Sequence, residues 1–383
     1  MVEFRLTEEQ EELRRVAREF AQNEIAPVAA EHDQKSSFPW EVYQKAFEIG
    51  LINLTVPTEY GGGGLGCLDC CLIVEELAAG CAGIASSLMV NDLAITPILV
   101  AGTPEQKERF LKPFCSKLQM GSFCLSEAGA GSDVAAMTTT AKRDGDDYIL
   151  NGSKMFITNG GVASLMTVFA TRDRSLRHAG ISGFIVPADL PGIRRGKKLD
   201  KMGQRASDTT EVIFEDVRVP RANLLGKEDE GFKIAMKTLD LSRPMIGALA
   251  VGLARAAMEA AINYAKERVT FGVPIAQHQA IQFMLADMDK EIAAARLLTW
   301  HAAWLIDQGF RATRESSIAK AFATDMAMRV TTDAVQIFGG YGYIKDFPVE
   351  KYMRDAKVLQ IYEGTNQIQR LVIARHLFGK EYR

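Results

Sequence analysis

The spacing of apolar and polar residues divides the chain into three regions. From residue 7 to about 117, apolar positions recur at helical intervals, as in Leu13, Val16 and Phe20. A Thr103-Pro104 pair marks a helix start, because threonine caps helices and proline fits their first turn. The pattern predicts an all-helical first region.

Between 121 and about 226, short β-branched runs are separated by turn residues. SLMTVFATR and TTEVIFEDVRVP are two such runs, and both are typical of strands. The Asn151-Gly152 pair predicts a hairpin turn. Several short strands at this spacing favour a small barrel or sandwich.

Helical spacing returns after residue 231. Four helices are predicted, at 244–268, 276–308, 313–338 and 366–378. Pro244 is expected in a first turn, and Gly379 is expected to end the last helix. We therefore predict an α+β protein with three domains: an N-terminal helical domain (1–120), a middle β-barrel or sandwich domain (121–230) and a C-terminal four-helix bundle (231–383).

Composition and charge narrow the class of protein. The 383 residues are 47% hydrophobic and 24% charged, with a formal net charge of -3, which is ordinary for a soluble globular protein. Nothing in this balance indicates nucleic acid or an anionic membrane as a partner. The N-terminus lacks a signal-peptide apolar core and no run of about 18 uncharged apolar residues occurs, so we expect a cytoplasmic protein without membrane insertion.

Six cysteines raise the question of a metal site. Cys67, Cys70 and Cys71 are close together, but no histidine and no second Cys-x-x-Cys lies nearby. They also run directly into an apolar helical pattern. We therefore predict buried thiols in a reducing cytosol and no metal.

Glu363 is the first candidate for chemistry. It stands in IYEGT, between bulky apolar residues and a turn-forming Gly364. Partial burial would disfavour its charged form and make it a base suited to a weakly acidic carbon-bound proton. Alternatively, Glu363 is a surface residue before a helix that is capped by Thr365 or Asn366. The residues themselves leave both interpretations open.

Other segments carry weaker signals. LSEAGAGSD (125–133) has small residues that let a ligand approach the backbone, but it lacks the strand, helix and spacing of a dinucleotide fingerprint. KMFITNGG (154–161) offers a flat ring at Phe156 and a hydroxyl at Thr158. ERVTFG (267–272) and VQIFGGYGY (335–343) offer polar or phosphate contacts. Each is also compatible with an ordinary turn, cap or bend.

Taken together and in this order, these segments resemble the acyl-CoA dehydrogenase family of flavoproteins over essentially the whole chain. NGSKMFITNGG (151–161), MGQRASDT (202–209), HQAIQFMLADM (278–288), MRDAK (353–357) and IYEGTNQIQR (361–370) carry the resemblance with the segments above. The medium- and short-chain members are the most similar. The resemblance implies the helical, β and four-helix-bundle order, bound FAD, and dehydrogenation of an acyl-CoA to the trans-2-enoyl-CoA.

The resemblance also implies roles for individual residues. Glu363 would be the base, and its backbone N–H would donate to the thioester oxygen together with a flavin hydroxyl. The implied FAD contacts are Phe123, Leu125, Ser126, Gly131, Ser132, Phe156, Ile157, Thr158, Arg268, Thr270, Phe271, Gln279, Gln336, Gly339, Gly340, Thr365 and Gln367. The implied substrate contacts are Ser132, Asp240, Arg243 and Gly364.

Two positions distinguish this chain. In some relatives the base precedes the arginine of the segment that reads LDLSRP here; Ser242 fills that slot and cannot replace a carboxylate. Asp92 lies in the helix that walls the acyl cavity in this family, within an apolar setting. It either pairs with a neighbouring helix or a cap, or acts as a cavity carboxylate. In the second case it would adapt the site to an unusual, for example alicyclic, acyl group or assist as a second acid-base group.

The resemblance implies an electron-transferring flavoprotein as the acceptor and a homotetramer. An acyl-CoA oxidase and a non-catalytic acyl-CoA-binding protein of the same fold are the alternatives. The family also allows a matrix protein whose presequence has been removed.

Overall fold

A computed structural model describes residues 5–379. The first region is helical, as its apolar spacing predicts, and one turn of π-helix, Ala21–Ile25, joins its first two helices. Its helices are α1 (Glu8–Phe20), α2 (Ala26–Lys35), α3 (Trp40–Glu48), α4 (Cys67–Gly80), α5 (Ala82–Ala101) and α6 (Pro104–Cys115). Thr7 and Thr103 form capping boxes at α1 and α6, which satisfy backbone donors of both first turns.

The middle region is a mixed sheet in two halves. Its strands are β1 (Gly121–Cys124), β2 (Thr140–Asp144), β3 (Asp147–Thr158), β4 (Leu165–Thr171), β5 (Ile181–Pro187), β6 (Ile193–Arg195), β7 (Thr209–Pro220) and β8 (Leu224–Leu225). Their order is β6-β7-β3-β2-β4-β5-β8, and β1 pairs with β4 in parallel. A single residue pair, Thr140 with Thr171, joins the two halves.

The hairpin predicted at Asn151-Gly152 is wrong. Strand β3 continues through this pair, and the chain reverses earlier, at Gly145 (φ +62°) between β2 and β3. Gly152 instead marks a bulge against β7, where a Cβ would approach the Thr139 side chain to 2.7 Å. Long-range strand pairing therefore overrides the local turn preference of Asn-Gly.

The third region is helical, with a short two-stranded hairpin. Its elements are α7 (Gly231–Glu267), β9 (Val269–Thr270), β10 (Val273–Pro274), α8 (Gln279–Asp307), α9 (Thr313–Phe338), α10 (Val349–Lys357) and α11 (Asn366–Phe378). The prediction that a helix starts at Pro244 is wrong, because α7 begins at Gly231. Apolar residues on both sides of Pro244, such as Ile234 and Ile246, are buried, and this packing offsets the local cost of proline inside a helix.

Helices α5 and α7 form much of the interior. By length and composition alone both could cross a bilayer, but 83% and 72% of their most apolar windows are buried inside the fold. They pack with α4, α8 and α9 around one apolar core. Buried core helices and membrane-spanning helices can share this length and apolar composition.

Two adjacent carboxylates of α4 connect the first region to the helices of the third. Glu75 accepts hydrogen bonds from Arg296 of α8 (2.9–3.1 Å). Glu76 accepts from Arg255 of α7 (2.5 Å) and from Arg18 of α1 (2.9 and 3.0 Å). Burial raises the pKa of Glu76, but these arginines outweigh it and hold the pKa below its usual value. Both carboxylates are thus buried as paired charges.

Candidate active site

A cleft of ≈ 200 Å³ lies where α5, the sheet, α7 and the segment before α11 meet. Its lining brings together residues that are far apart in sequence. The sequence-predicted residues that line it are Phe123, Leu125, Ser126, Gly131, Ser132, Phe156, Thr158, Arg243, Glu363 and Gly364. The main FAD and substrate segments predicted from the sequence therefore converge on one site.

The loop after β1 forms one wall of the cleft and is held by a buried ion pair. Lys154, which is fully buried on β3, donates to Glu127 Oε1 (2.8 Å) and to the carbonyl of Leu125 (3.2 Å). Glu127 also accepts from the backbone N–H groups of Thr138 (2.6 Å) and Thr139 (3.0 Å). Burial opposes ionisation of Glu127, yet Lys154 and these hydrogen bonds lower its pKa to about 2. The charges fix both ends of the loop.

Phe156 presents its ring to the cleft because β3 is irregular there. The register with β7 shifts between Lys154 and Ile157, and Phe156 adopts φ +63°. Its side chain is 65% exposed although it lines the cleft. Ile157 was predicted to contact the flavin, but its side chain is buried in the core of the sheet and does not line the cleft. Thr158 lies beside Phe156 in the lining.

Glu363 projects from a strained turn before α11. Its φ is +55° and that of Gly364 is +88°, in the left-handed region that favours glycine. Gln369 donates to the carbonyls of Glu363 (3.2 Å) and Gly364 (2.9 Å), and Lys320 donates to the Gly364 carbonyl (2.9 Å). A Cβ on Gly364 would approach Gln369 Nε2 to 2.6 Å. The turn is therefore braced by two side chains, which helps to maintain its strain.

The Glu363 carboxylate is partly buried in the wall of the cleft. Ser242 Oγ donates to its Oε2 at 2.6 Å, while Oε1 is buried and has no hydrogen-bond partner among the described residues. Burial raises the pKa of Glu363, and Ser242, Arg243 and Lys320 oppose this effect. The raised pKa makes Glu363 a stronger base than a solvated carboxylate. Within residues 5–379, no other carboxylate lines the cleft.

Lys320 is an ionisable residue near the site that the sequence analysis missed. Its ammonium is fully buried on α9 and also donates to Asn366 Oδ1 at 2.9 Å. Burial lowers the pKa of Lys320 to about 7, although the nearby Glu363 acts in the opposite direction. Lysines on helix stripes are usually solvated, so the sequence held no sign of this contact.

Arg243 and Asp240 form a pair at the edge of the cleft. Arg243 lines the cleft, is 4% exposed, and donates to Asp240 Oδ1 at 2.5 Å. Asp240 Oδ2 accepts from Thr313 Oγ1 at 2.6 Å. Asp240 is not part of the lining and orients Arg243, while its expected substrate contact stays a prediction.

Asp92 does not line the cleft. Its Oδ1 accepts from the backbone N–H and the hydroxyl of Thr55, both at 2.8 Å. Burial raises its pKa, and the Thr55 hydrogen bonds oppose that rise. The structure therefore supports the pairing interpretation, in which Asp92 ties α5 to the preceding loop, over the cavity carboxylate.

Helix α5, which the family resemblance implies as a wall of the acyl cavity, forms one wall of the cleft, although the sequence did not identify the residues that face it. The wall consists of Ser86, Met89, Val90 and Leu93. Because α5 is apolar on all sides, its periodicity could not distinguish the face toward the cleft from the face toward the core. Thr365 caps α11 by accepting from the N–H of Ile368, and Gln367 is exposed. Neither residue lines the cleft, and their flavin contacts stay predictions.

A second cavity, of ≈ 490 Å³, gathers other predicted FAD residues. Arg268, Thr270, Gly339 and Gly340 line it, and it shares no lining residue with the cleft. Other residues predicted to join them, Phe271, Gln279 and Gln336, are exposed and lie outside its lining. The predicted FAD residues that line a cavity thus form two separate groups on one chain.

A third and larger cavity, of ≈ 610 Å³, lies between α6 and the sheet. Charged side chains such as Arg109, Arg221 and Lys227 line it, and no predicted site residue does. Size alone therefore does not identify the active site in this fold.

The described part of the chain holds no cluster of three His, Cys, Asp or Glu residues suited to a metal ion. All six cysteines are buried and unpaired, as predicted.

Comparison with known proteins gives consistent matches along the chain. Family models described as the N-terminal, middle and C-terminal domains of acyl-CoA dehydrogenase match residues 7–117, 122–217 and 229–378. The mitochondrial short-chain specific acyl-CoA dehydrogenase of Bos taurus is 48% identical over 379 residues, which cover 99% of this chain and 92% of that protein.

Solved structures are similar over the full length. Butyryl-CoA dehydrogenase from Megasphaera elsdenii superimposes with a TM-score of 0.96 at 44% identity, covering 99% of this chain and all of that one. A chain from a structure described as the electron transferring flavoprotein of Acidaminococcus fermentans has a TM-score of 0.96 at 49% identity, covering 98% of this chain and 99% of its own length.

Proposed function

This chain belongs to the acyl-CoA dehydrogenase family, and we propose that Glu363 is the base with which it dehydrogenates short-chain acyl-CoA thioesters. The family makes it an FAD-dependent oxidoreductase. The observation that carries the assignment is that Glu363 is the one carboxylate in the cleft lining over the described residues. Its burial and raised pKa suit the removal of a weakly acidic proton from carbon.

The reaction removes one hydrogen from each of two neighbouring carbons. Glu363 takes the α-hydrogen as a proton, and the electron pair of the broken bond forms the trans double bond as the β-hydrogen leaves with its own pair. FAD, held by residues of the cleft such as Ser126, Phe156 and Thr158, would supply the acceptor for that hydride. The backbone N–H of Glu363 is our candidate donor to the thioester oxygen, where negative charge develops.

The cleft has the features that a flavin ring and its chain require. Phe156 offers an uncovered aromatic face beside the Thr158 hydroxyl. At Gly129 and Gly131 a Cβ would meet nothing within 4 Å, so this loop is open to the approach of a ligand along its backbone. Residues 123–132 and 156–158 are therefore our candidates for holding the flavin.

Bulky apolar side chains support a short acyl group. Met89, Leu93, Leu239, Ile246 and Ile368 line the cleft. The cleft that they line is small, ≈ 200 Å³, and a small apolar surface suits a few methylene groups. The relatives named above act on short-chain or butyryl thioesters according to their names.

We expect anaerobic bleaching of the enzyme's yellow colour by short acyl-CoA thioesters. In stopped-flow mixing, butyryl-CoA should reduce the flavin with a kcat/KM about tenfold or more above that for octanoyl-CoA, because added methylenes must displace packed side chains. The measurement is absorbance of the oxidised flavin across a series of straight, branched and cyclic thioesters.

The same series separates the alternatives. Tight binding of thioesters without bleaching would contradict the enzyme assignment and favour a binding protein. After bleaching, we propose that an electron-transferring flavoprotein, and not dioxygen, reoxidises the flavin. Stoichiometric hydrogen peroxide in aerobic turnover would indicate an oxidase instead.

We also propose a homotetramer in which FAD contacts two subunits. The two groups of predicted FAD residues lie in separate cavities of one chain, and Phe271 (96%) and Tyr343 (87%) are large, exposed side chains beside the second. Such exposure is unusual unless another surface covers it. Sedimentation equilibrium of the flavin-loaded protein should give four times the 42.1 kDa chain mass, and a monomer with full flavin content would contradict this.

The compartment is proposed from the thiols. All six cysteines are free and buried, which fits a reducing compartment. The cytoplasm and the mitochondrial matrix both meet this condition, and the Bos taurus relative named above is mitochondrial.

A further inference from the structure

Ser242 makes a direct contact with the candidate base. It lies on α7, is 1% exposed, and its Oγ is 2.6 Å from Glu363 Oε2 and 3.3 Å from the carbonyl oxygen of Leu239. A hydroxyl has one hydrogen to donate. The shorter distance and the negative charge favour the carboxylate as its acceptor.

The other polar groups that face the Glu363 carboxylate are engaged elsewhere. Arg243 of α7 donates to Asp240, and Lys320 of α9 donates to Gly364 O and Asn366 Oδ1. Their charges act on Glu363 at a distance without a hydrogen bond to it in the described structure. Tyr362, the neighbour of Glu363 in the chain, is near Gln204 Nε2 (3.4 Å).

Ser242 therefore holds the carboxylate nearly alone. Glu363 Oε1 is buried and has no hydrogen-bond partner within the described residues, so Oε2 carries the hydrogen bond that fixes the rotation of the group. An unanchored carboxylate in this position would be free to turn about its last side-chain bonds.

We propose that Ser242 is a positioning residue for the reaction, which orients the Glu363 carboxylate through its hydrogen bond to Oε2. The proposal rests on the proposed role of Glu363 as the base. The proposal gives a function to Ser242, the serine of the LDLSRP segment. In some relatives the residue at this position is the base itself, whereas here its hydroxyl orients a base that lies just before α11.

Two opposing effects set the working range of the base. Burial raises the pKa of Glu363, which strengthens it as a base but favours its protonated, inactive form. A hydrogen bond to the ionised form acts in the opposite direction and lowers the pKa. Removing the Ser242 hydroxyl should therefore raise the pKa of Glu363 further, and activity should need a higher pH.

The test is the pH profile of Ser242→Ala for butyryl-CoA. We expect the acidic limb of log kcat/KM to move to higher pH by about one unit, since one hydrogen bond to the ionised form is lost. At the high-pH plateau, kcat should fall about tenfold, because the carboxylate is less well oriented, while KM changes less than twofold. Ser242→Thr, which keeps the hydroxyl, should move the limb back toward wild type.

Thr238→Val is the matched control. Thr238 lies one turn earlier on α7, is equally buried, and its hydroxyl has no partner within the described part of the chain. Its profile should superimpose on wild type. An acidic limb of Ser242→Ala that superimposes on wild type would overturn the proposal, and so would an unchanged plateau kcat. If wild type itself fails to reduce its flavin with any thioester, it is the proposed function that fails.

Discussion

Replacing Glu363 by glutamine is expected to abolish reduction of the flavin by acyl-CoA while leaving the flavin bound. The amide has nearly the shape of the carboxylate but cannot take a proton. A positioned general base contributes about 10²–10⁴-fold to such a step. We expect a loss at the upper end, because no other carboxylate among the described residues lines the cleft. Rapid mixing with butyryl-CoA under anaerobic conditions measures the rate.

Glu41→Gln provides a matched control for this variant. Glu41 is an exposed residue in the first turn of α3, and its replacement removes the same charge far from the cleft lining. Flavin content and thermal unfolding should match wild type in both variants. A Glu363→Gln protein that holds flavin and reduces it at the wild-type rate would rule out Glu363 as the base.

Lys154→Met is expected to lower the free energy of unfolding by about 3–5 kcal/mol, the usual result of removing one partner of a buried ion pair. Glu127 would stay buried without its cation, and the loop that carries Ser126 and Gly131 would lose its anchor. Flavin affinity should fall with stability, since this loop lines the cleft. Urea titration followed by circular dichroism, with flavin content measured in parallel, checks both effects.

The double variant Lys154→Met/Glu127→Gln separates charge from packing. In the single variant, the buried Glu127 carboxylate has no cation beside it, which costs free energy of folding. The double variant removes this charge as well, so most of the lost stability should be recovered. Lys142→Met, an exposed lysine on the neighbouring strand β2, should have little effect. If Lys154→Met matches Lys142→Met in its urea midpoint, the ion pair does not anchor the loop.

This ion pair also predicts acid sensitivity. The folded pKa of Glu127, about 2, lies below the ordinary carboxyl value of 4.5. The ionised Glu127 therefore stabilises the folded protein fully at pH values above 4.5. This stabilisation is lost as the pH falls from about 4.5 toward 2.

Local signals in the sequence predicted the helical elements well where caps and periodicity agreed. The helices at 313–338 and 366–378 have the predicted limits, since their apolar stripes are bounded by turn residues and by Gly379. Pro244 and Asn151-Gly152 were misleading, because partners distant in sequence bury or pair both segments. A local preference worth about 1–3 kcal/mol yields to such packing.

The candidate site was predictable only in part. Motif residues such as Ser126, Phe156 and Glu363 could be identified from the sequence and its family resemblance, and the structure brings them together. Ser242 and Lys320 could not be assigned their contacts, because they act on the Glu363 turn across 121 and 44 residues of sequence. Asp92 was ambiguous because the direction of a side chain on an all-apolar helix depends on neighbours that periodicity does not specify.

The paired carboxylates of α4 have a consequence for synthesis of the protein. Glu75 and Glu76 emerge from the ribosome long before Arg296 and Arg255, which follow 221 and 179 residues later. Until then most of the arginines that neutralise these two carboxylates in the folded protein are absent. The apolar face of α4 is also not yet covered by α7 and α8. The N-terminal helices therefore cannot complete their native packing until α7 and α8 have been synthesised, and until then the exposed apolar face of α4 favours aggregation of the nascent chain.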